Sequence, residues 1–160
     1  MTTPPSSIKD FESYASGSPS ATIYIDAPPE RVMSILKDLK SYPLWCPFTR
    51  KMDGECIKGT TITEHVQLDL KSTSRRLQRV IVSEANEVCL HWYSILGGSR
   101  SILFAQRSQF VVSEGNGTRY YTCDRMSGIL SFLVLFLYFR TIQDGFKSIA
   151  MALKARSEEK

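Results

Sequence analysis

The stretch SGILSFLVLFLYFRTIQDGFKSIAMALKAR, from Ser127 to Arg156, carries two different hydrophobic patterns. Along it Leu135, Phe139, Ile142, Phe146, Ile149 and Leu153 recur at spacings of four and three, which draws one apolar stripe along a helix. Arg140, Gln143, Asp144, Lys147, Lys154 and Arg156 fill the other face, and Arg140 and Asp144 stand one turn apart, close enough to pair. The first half differs: from Ile129 to Phe139 every residue except Ser131 is apolar or aromatic. A helix without a wet face must be covered by protein, membrane or ligand. This run is 11 residues long, short of the roughly 20 that span a bilayer. The stretch is therefore read as one helix, from about Leu130 to Arg156, laid against a sheet, in preference to a membrane-contact segment.

The rest of the chain sets limits on what that helix can belong to. Its 160 residues suffice for one domain with a real core. The net charge of +4 is mild and the basic residues are scattered, which fits a solvated surface and argues against a nucleic-acid partner. Cys46, Cys56, Cys89 and Cys123 stand singly, with no close pair of the kind that marks zinc or thiol-redox sites. With His65 and His91 the sole histidines, no metal site is expected. The chain starts without the charged segment and apolar core of a secretory signal, so free thiols in a cytoplasmic protein are the expectation.

Met1 to Ser20 is rich in Pro, Ser, Thr and Gly, which predicts a flexible arm over residues 1–19 with at most one helical turn at Ile8 to Tyr14. Residues 20–158 are expected to form the single domain. Ala21 to Ala27 alternates around Ile23 and Ile25 and reads as the first strand. Pro28 and Pro29 suit a helix's first turn, Asp26 can cap it, and Glu30 to Leu39 follows as a short helix. The prolines of Tyr42-Pro43-Leu44-Trp45-Cys46-Pro47 break that helix. Phe48 to Asp124 shows no helical period and several turn signals, among them Asp53-Gly54, Gly97-Gly98 and Gly115-Asn116-Gly117. Strands are predicted at roughly 48–57, 60–70, 73–84, 87–96, 101–113 and 117–126, seven with the first. The result is an α+β chain: a curved antiparallel sheet gripping a long terminal helix, with space between them.

Alternate side chains of a strand face opposite ways, so parity selects the residues that line that space. Ile62, Val66, Leu68 and Leu70 share a face with Glu64, and Leu90 and Trp92 share another, with His91 and Tyr93 turned outward. In the sixth strand the apolar even set, Ile102, Phe104, Phe110 and Val112, carries Gln106 and Ser108 inward. In the seventh the even set is Tyr120, Thr122, Asp124 and Met126. A carboxylate among apolar neighbours needs a partner, a wet cavity or a ligand, or its pKa rises. Glu64 has a competing reading, a strand bulge that turns it outward, and Asp124 could instead pair with an Arg or cap the following helix. Ser108 lacks a partner His or a nucleophile-elbow motif, and no phosphate loop or dinucleotide fingerprint occurs.

At this point four stretches resemble the START-like, or SRPBCC, superfamily. This is the Bet v 1-like helix-grip fold shared by birch-pollen allergens, lipid-transfer START domains and polyketide cyclase/dehydrase proteins. Ile25 to Val32 resembles its opening strand-to-helix step, and Asp38 through Pro47 its short second helix. Leu90-His91-Trp92 is similar to its fifth-strand Leu-x-Trp. Gly117-Thr118-Arg119, Asp124 to Gly128 and Phe146 to Lys154 resemble its last strand and grip helix. Where relatives often carry Glu-x-Phe-x-Gly, this chain has Asp124-Arg125-Met126-Ser127-Gly128. The superfamily has no universal catalytic residues, so none is carried over.

The resemblance implies an internal cavity for a small hydrophobic molecule, such as a polyketide intermediate, and a cofactor-independent cyclase, isomerase or dehydratase. A non-catalytic carrier of lipids or other hydrophobic ligands is the alternative. Glu64 and Asp124 are the candidate acid or base. Trp92, Phe104, Gln106, Ser108, Tyr120, Thr122, Leu135, Phe139 and Ile142 are the candidate substrate-binding residues. No cofactor, no metal, no nucleic acid and no stable membrane insertion are expected, and monomer and dimer are both left open.

Overall fold

The computed structural model describes residues 3–67 and 76–159, with Arg76 described by its backbone alone. Chain order is α1 (Ile8–Tyr14), β1 (Ser20–Ile25), α2 (Pro29–Lys37), a 3-10 turn (Leu39–Ser41), α3 (Tyr42–Trp45), β2 (Thr49–Asp53), β3 (Thr61–Val66), β4 (Arg76–Ala85), β5 (Cys89–Leu96), β6 (Leu103–Glu114), β7 (Gly117–Ser127) and α4 (Ser131–Glu158). The strands form one seven-stranded sheet in the order β1-β7-β6-β5-β4-β3-β2, with every pairing antiparallel. This is the helix-grip architecture that the turn signals and the terminal stripe predict. Leu68 and Leu70, assigned to the inward face from sequence, lie outside the described residues.

The main core lies between the concave face of the sheet and the helices. α2 contributes Val32, Met33 and Leu36, α4 contributes Ile149, Ala150 and Leu153, and the sheet contributes Ile25, Ile62, Val80, Leu90, Trp92 and Tyr120 among others. Two prolines open α2 as expected, but Asp26 does not cap it. The cap position is Pro28, without a side-chain bond, and the Asp26 amide donates to Glu158 Oε1 at 2.7 Å.

A second core covers the convex face, where the sequence reading expects a loose arm. α1 is a two-turn helix whose N-cap, Ser7, accepts from the Asp10 amide. It sets Phe11 (2% exposed) and Ala15 on Phe110, Tyr121, Cys89 and Cys123. The Phe11 and Tyr121 rings stand 4.8 Å apart, and Tyr14 meets Phe110 edge-on at 5.5 Å.

α4 is tied to β1 from its middle to its C-terminal end. The Ser20 amide donates to Gln143 Oε1 at 2.8 Å, Gln143 Nε2 donates back to the Ser20 carbonyl, and Lys154 Nζ donates to the Tyr24 carbonyl at 3.0 Å. The first half is not laid on the sheet, contrary to the expectation from sequence. Phe132 is 77% and Phe136 76% exposed, and Leu133, Leu137 and Tyr138 are exposed as well. α4 outreaches β1, the strand to which it is tied. Twenty-eight residues at about 1.5 Å each make about 42 Å of helix, whereas the six of β1 reach about 20 Å.

Candidate functional site

The register of three neighbouring strands assembles a polar cluster on the concave face. Trp92 of β5 pairs with Arg107 of β6, which pairs with Asp124 of β7. One step along, Leu90, Gln109 and Thr122 form the next row, and Val111 pairs with Tyr120. Glu64 of β3 joins from the other side, 7% exposed between Ile62 and Val66.

Glu64 thus faces inward, and the bulge that would have turned it out lies elsewhere. The register shift sits on β2, between Thr49 and Lys51, and it leaves Thr49 buried opposite β3. Thr49 Oγ1 donates to Glu64 Oε1 at 2.9 Å, and Cys46 Sγ in turn donates to Thr49 Oγ1 at 3.4 Å. This relay connects the buried carboxylate to β2 and to the end of α3.

Arg107 is the residue that the sequence reading missed. Its guanidinium carbon lies 4.5 Å from the ring centroid of Phe146 on α4. Burial works against its charge, but Asp124 and Glu64 outweigh burial and hold its pKa above the ordinary value. Asp124 is displaced as well. Burial pushes its carboxyl above the usual aspartate value, Arg107 opposes the shift, and Glu64 adds to it. Asp124 does not cap α4, which starts seven residues later at Ser131.

Tyr120 and Thr122 share this face, as parity requires. The Tyr120 hydroxyl donates to Gln109 Oε1 at 2.8 Å, and burial raises its pKa. Gln109 Nε2 and Thr122 Oγ1 are buried with no hydrogen-bond partner among the described residues. Such atoms are costly unless something polar meets them. Along α4 the stripe that faces the sheet loosens toward its start. Phe146, Ile149 and Leu153 are buried, Ile142 and Leu135 half-buried, and Phe139 exposed.

Three predicted site residues lie on the other side of the sheet. Phe104, Gln106 and Ser108 share the convex face with Phe110. Phe104 packs tilted against Tyr93 at 5.4 Å with Arg100 over it, and Ser108 Oγ lies 2.9 Å from the Tyr14 hydroxyl. Sequence parity puts the apolar even set of β6 in the grip, but α1 buries it from behind, which leaves the more polar odd set, Arg107, Gln109 and Val111, inside. His91 has the outward parity expected of it, yet it is buried beneath α1 and edge-on to Phe110 at 5.0 Å. A surface hollow of about 510 Å³ at the far end of α4, lined by Asp26, Arg31, Lys154, Ser157 and Glu158, is separate from this cluster. There Lys154 and Glu158 pair with each other.

Among solved structures the fold recurs widely. TTHA0849 from Thermus thermophilus superposes with a TM-score of 0.65 at 21% identity, over 88% of this chain and 96% of that one. The di-domain ARO/CYC BexL from the BE-7585A biosynthetic pathway gives 0.70 at 13% identity, over 89% of this chain and 50% of that one. Ara h 8.0201 gives 0.60 at 11% identity, over 86% and 97%. At these identities the likeness concerns the fold. Comparison with curated protein sequences gives no match. Residues 17–120 match the family described as polyketide cyclase/dehydrase and lipid transport, and with the helix-grip fold around it the chain belongs to that family, within the START-like superfamily.

Proposed function

We propose that the protein binds a small hydrophobic molecule, a polyketide or related natural-product intermediate, between α4 and the sheet, and acts on it as a cofactor-independent cyclase, isomerase or dehydratase. The observation that carries the reading is the Arg107–Asp124 pair of positions, the charged centre of a polar cluster set among the apolar residues of the concave face. Family membership and the likeness to an ARO/CYC protein support it.

The ligand's apolar body would lie against Trp92, Leu135, Phe139 and Ile142, with Tyr120 and Thr122 orienting its oxygens. Arg107 supplies a fixed positive charge where a carbonyl oxygen gains negative charge as it becomes an enolate. Asp124, with its proton affinity raised, takes the proton from the carbon next to that carbonyl. It returns a proton to a departing hydroxyl, which leaves as water in a dehydration, or to the new alkoxide in a cyclisation. Glu64, engaged by Thr49, raises the proton affinity of Asp124 and balances Arg107.

The test is to incubate the protein with a stabilised poly-β-ketone thioester analogue, following Trp fluorescence for binding and mass spectrometry for product. Conversion by the native chain, with Asp124→Asn binding equally but turning over about 10²–10⁴-fold more slowly, is expected. Binding without conversion would favour the carrier reading, and no binding would overturn the ligand class.

A further inference from the structure

The exposed side chains at the start of α4, Phe132, Leu133, Phe136, Leu137 and Tyr138, are unused by the site described above. We infer that this segment, Ile129 to Tyr138, together with the β5–β6 loop, is a docking surface for an anionic lipid bilayer, lying in the interface without crossing it.

The geometry that presents the patch is built into the backbone. Gly128 adopts φ +100°, and a Cβ there would sit 2.7 Å from the Ile102 carbonyl oxygen. The chain can therefore turn tightly against the β5–β6 loop, where the amides of Ile129 and Leu130 donate to the Ser101 and Ile102 carbonyls at 2.9 and 3.0 Å. That contact joins exposed Ile102 to the helix start and makes one apolar end of the molecule.

Three features select the occupant. At about 100° per residue the exposed side chains Phe132, Leu133, Phe136 and Leu137 fall within one arc of about 140°, with Tyr138 outside it. One apolar arc of this width is the face that a helix lying in a bilayer interface buries. The charges are one-signed: from Arg125 to Gln143 the chain has Arg125 and Arg140 and no acidic residue, and the loop 97–102 adds Arg100. All three arginines are exposed, a rim complementary to anionic headgroups. Finally, no helix among the described residues is long and apolar enough to cross a membrane. An apolar segment with a basic rim and insufficient length lies in the plane of the interface.

The proposal is independent of the ligand reading and is tested without ligand. The full chain is floated with vesicles of phosphatidylcholine alone and of phosphatidylcholine mixed with phosphatidylglycerol. Binding to the mixed vesicles, weakened by salt, is expected. The double variant Phe132→Gln/Phe136→Gln should keep its melting temperature and lose about tenfold or more of the partitioning. Arg100→Gln/Arg140→Gln should lose the preference for anionic vesicles. No flotation, equal flotation of the phenylalanine variant, or equal binding to neutral vesicles would overturn the proposal. So would a dimer, seen by light scattering, that the phenylalanine variant splits while vesicle binding is absent.

Discussion

The guanidinium of Arg107 stacks on the ring of Phe146, 4.5 Å from its centroid, so that β6 and α4 meet through a cation–π contact beneath the helix. Such contacts contribute about 0.5–2 kcal/mol, more when desolvated. Arg107 also pairs with Asp124 in the β6–β7 ladder, where the two charges influence each other. One side chain thus serves both the closure of the grip and the electrostatics of the site.

Phe146 is 1% exposed, and its truncation should be felt in full. Phe146→Ala is expected to lower unfolding free energy by about 3–5 kcal/mol in denaturant titrations. Phe146→Leu, which keeps most of the volume but loses the ring face, should cost less. Equal stability of the alanine variant and the native chain would show that α4 does not depend on this contact.

Asp124 gives a pH signature. Its folded pKa is raised above the ordinary 3.8, by burial first, against Arg107 and with Glu64. A raised carboxyl contributes stability that is full below the unfolded value and is lost as pH rises through the folded value. Asp124→Asn has no such titration. The melting temperature of the native chain minus that of the variant should therefore fall as pH rises from about 3.8. A pH-independent difference would contradict the assignment.

The convex core makes α1 part of the fold. Phe11→Ala should cost about 3–5 kcal/mol, a loss that a disordered arm would never show. Beneath α1, burial lowers the His91 pKa while Glu84 works against the shift. A depressed imidazole contributes stability that is present above the unfolded value of 6.5 and is lost as pH falls below it. His91→Gln should flatten that decline in thermal melts between neutral and mildly acidic pH.

All four cysteines are free, and burial pushes Cys56 and Cys89 up to about 11 and Cys123 to about 12. Thiols so displaced are largely protonated near neutral pH and react slowly. An aromatic disulfide reagent should label the native protein sluggishly and reach four thiols once it is unfolded. Intact mass without reductant should show no loss of hydrogens.

The pattern of residues was enough to establish the strands, α2 and α4 and their order. The stripe from Leu135 to Leu153 demanded a helix with one covered face. Gly-rich turns divided 48–126 into hairpins, and Leu90 and Trp92 lay inward as their parity required, with Glu64 beside Ile62. Those features are local, set by a period of 3.6 or 2 along a single segment. What α1 covers is not local. Both faces of β6 hold apolar residues, so alternation identified two sets without saying which meets α4. Tertiary packing decided it, by placing Phe11 and Tyr14 on Phe110 and so turning Arg107 and Gln109 into the grip. The row Trp92, Arg107 and Asp124 depends likewise on the register between strands, which no single segment encodes. The reach of α4 past β1 is a difference in length between two elements far apart in the chain, and it appears once they are packed together.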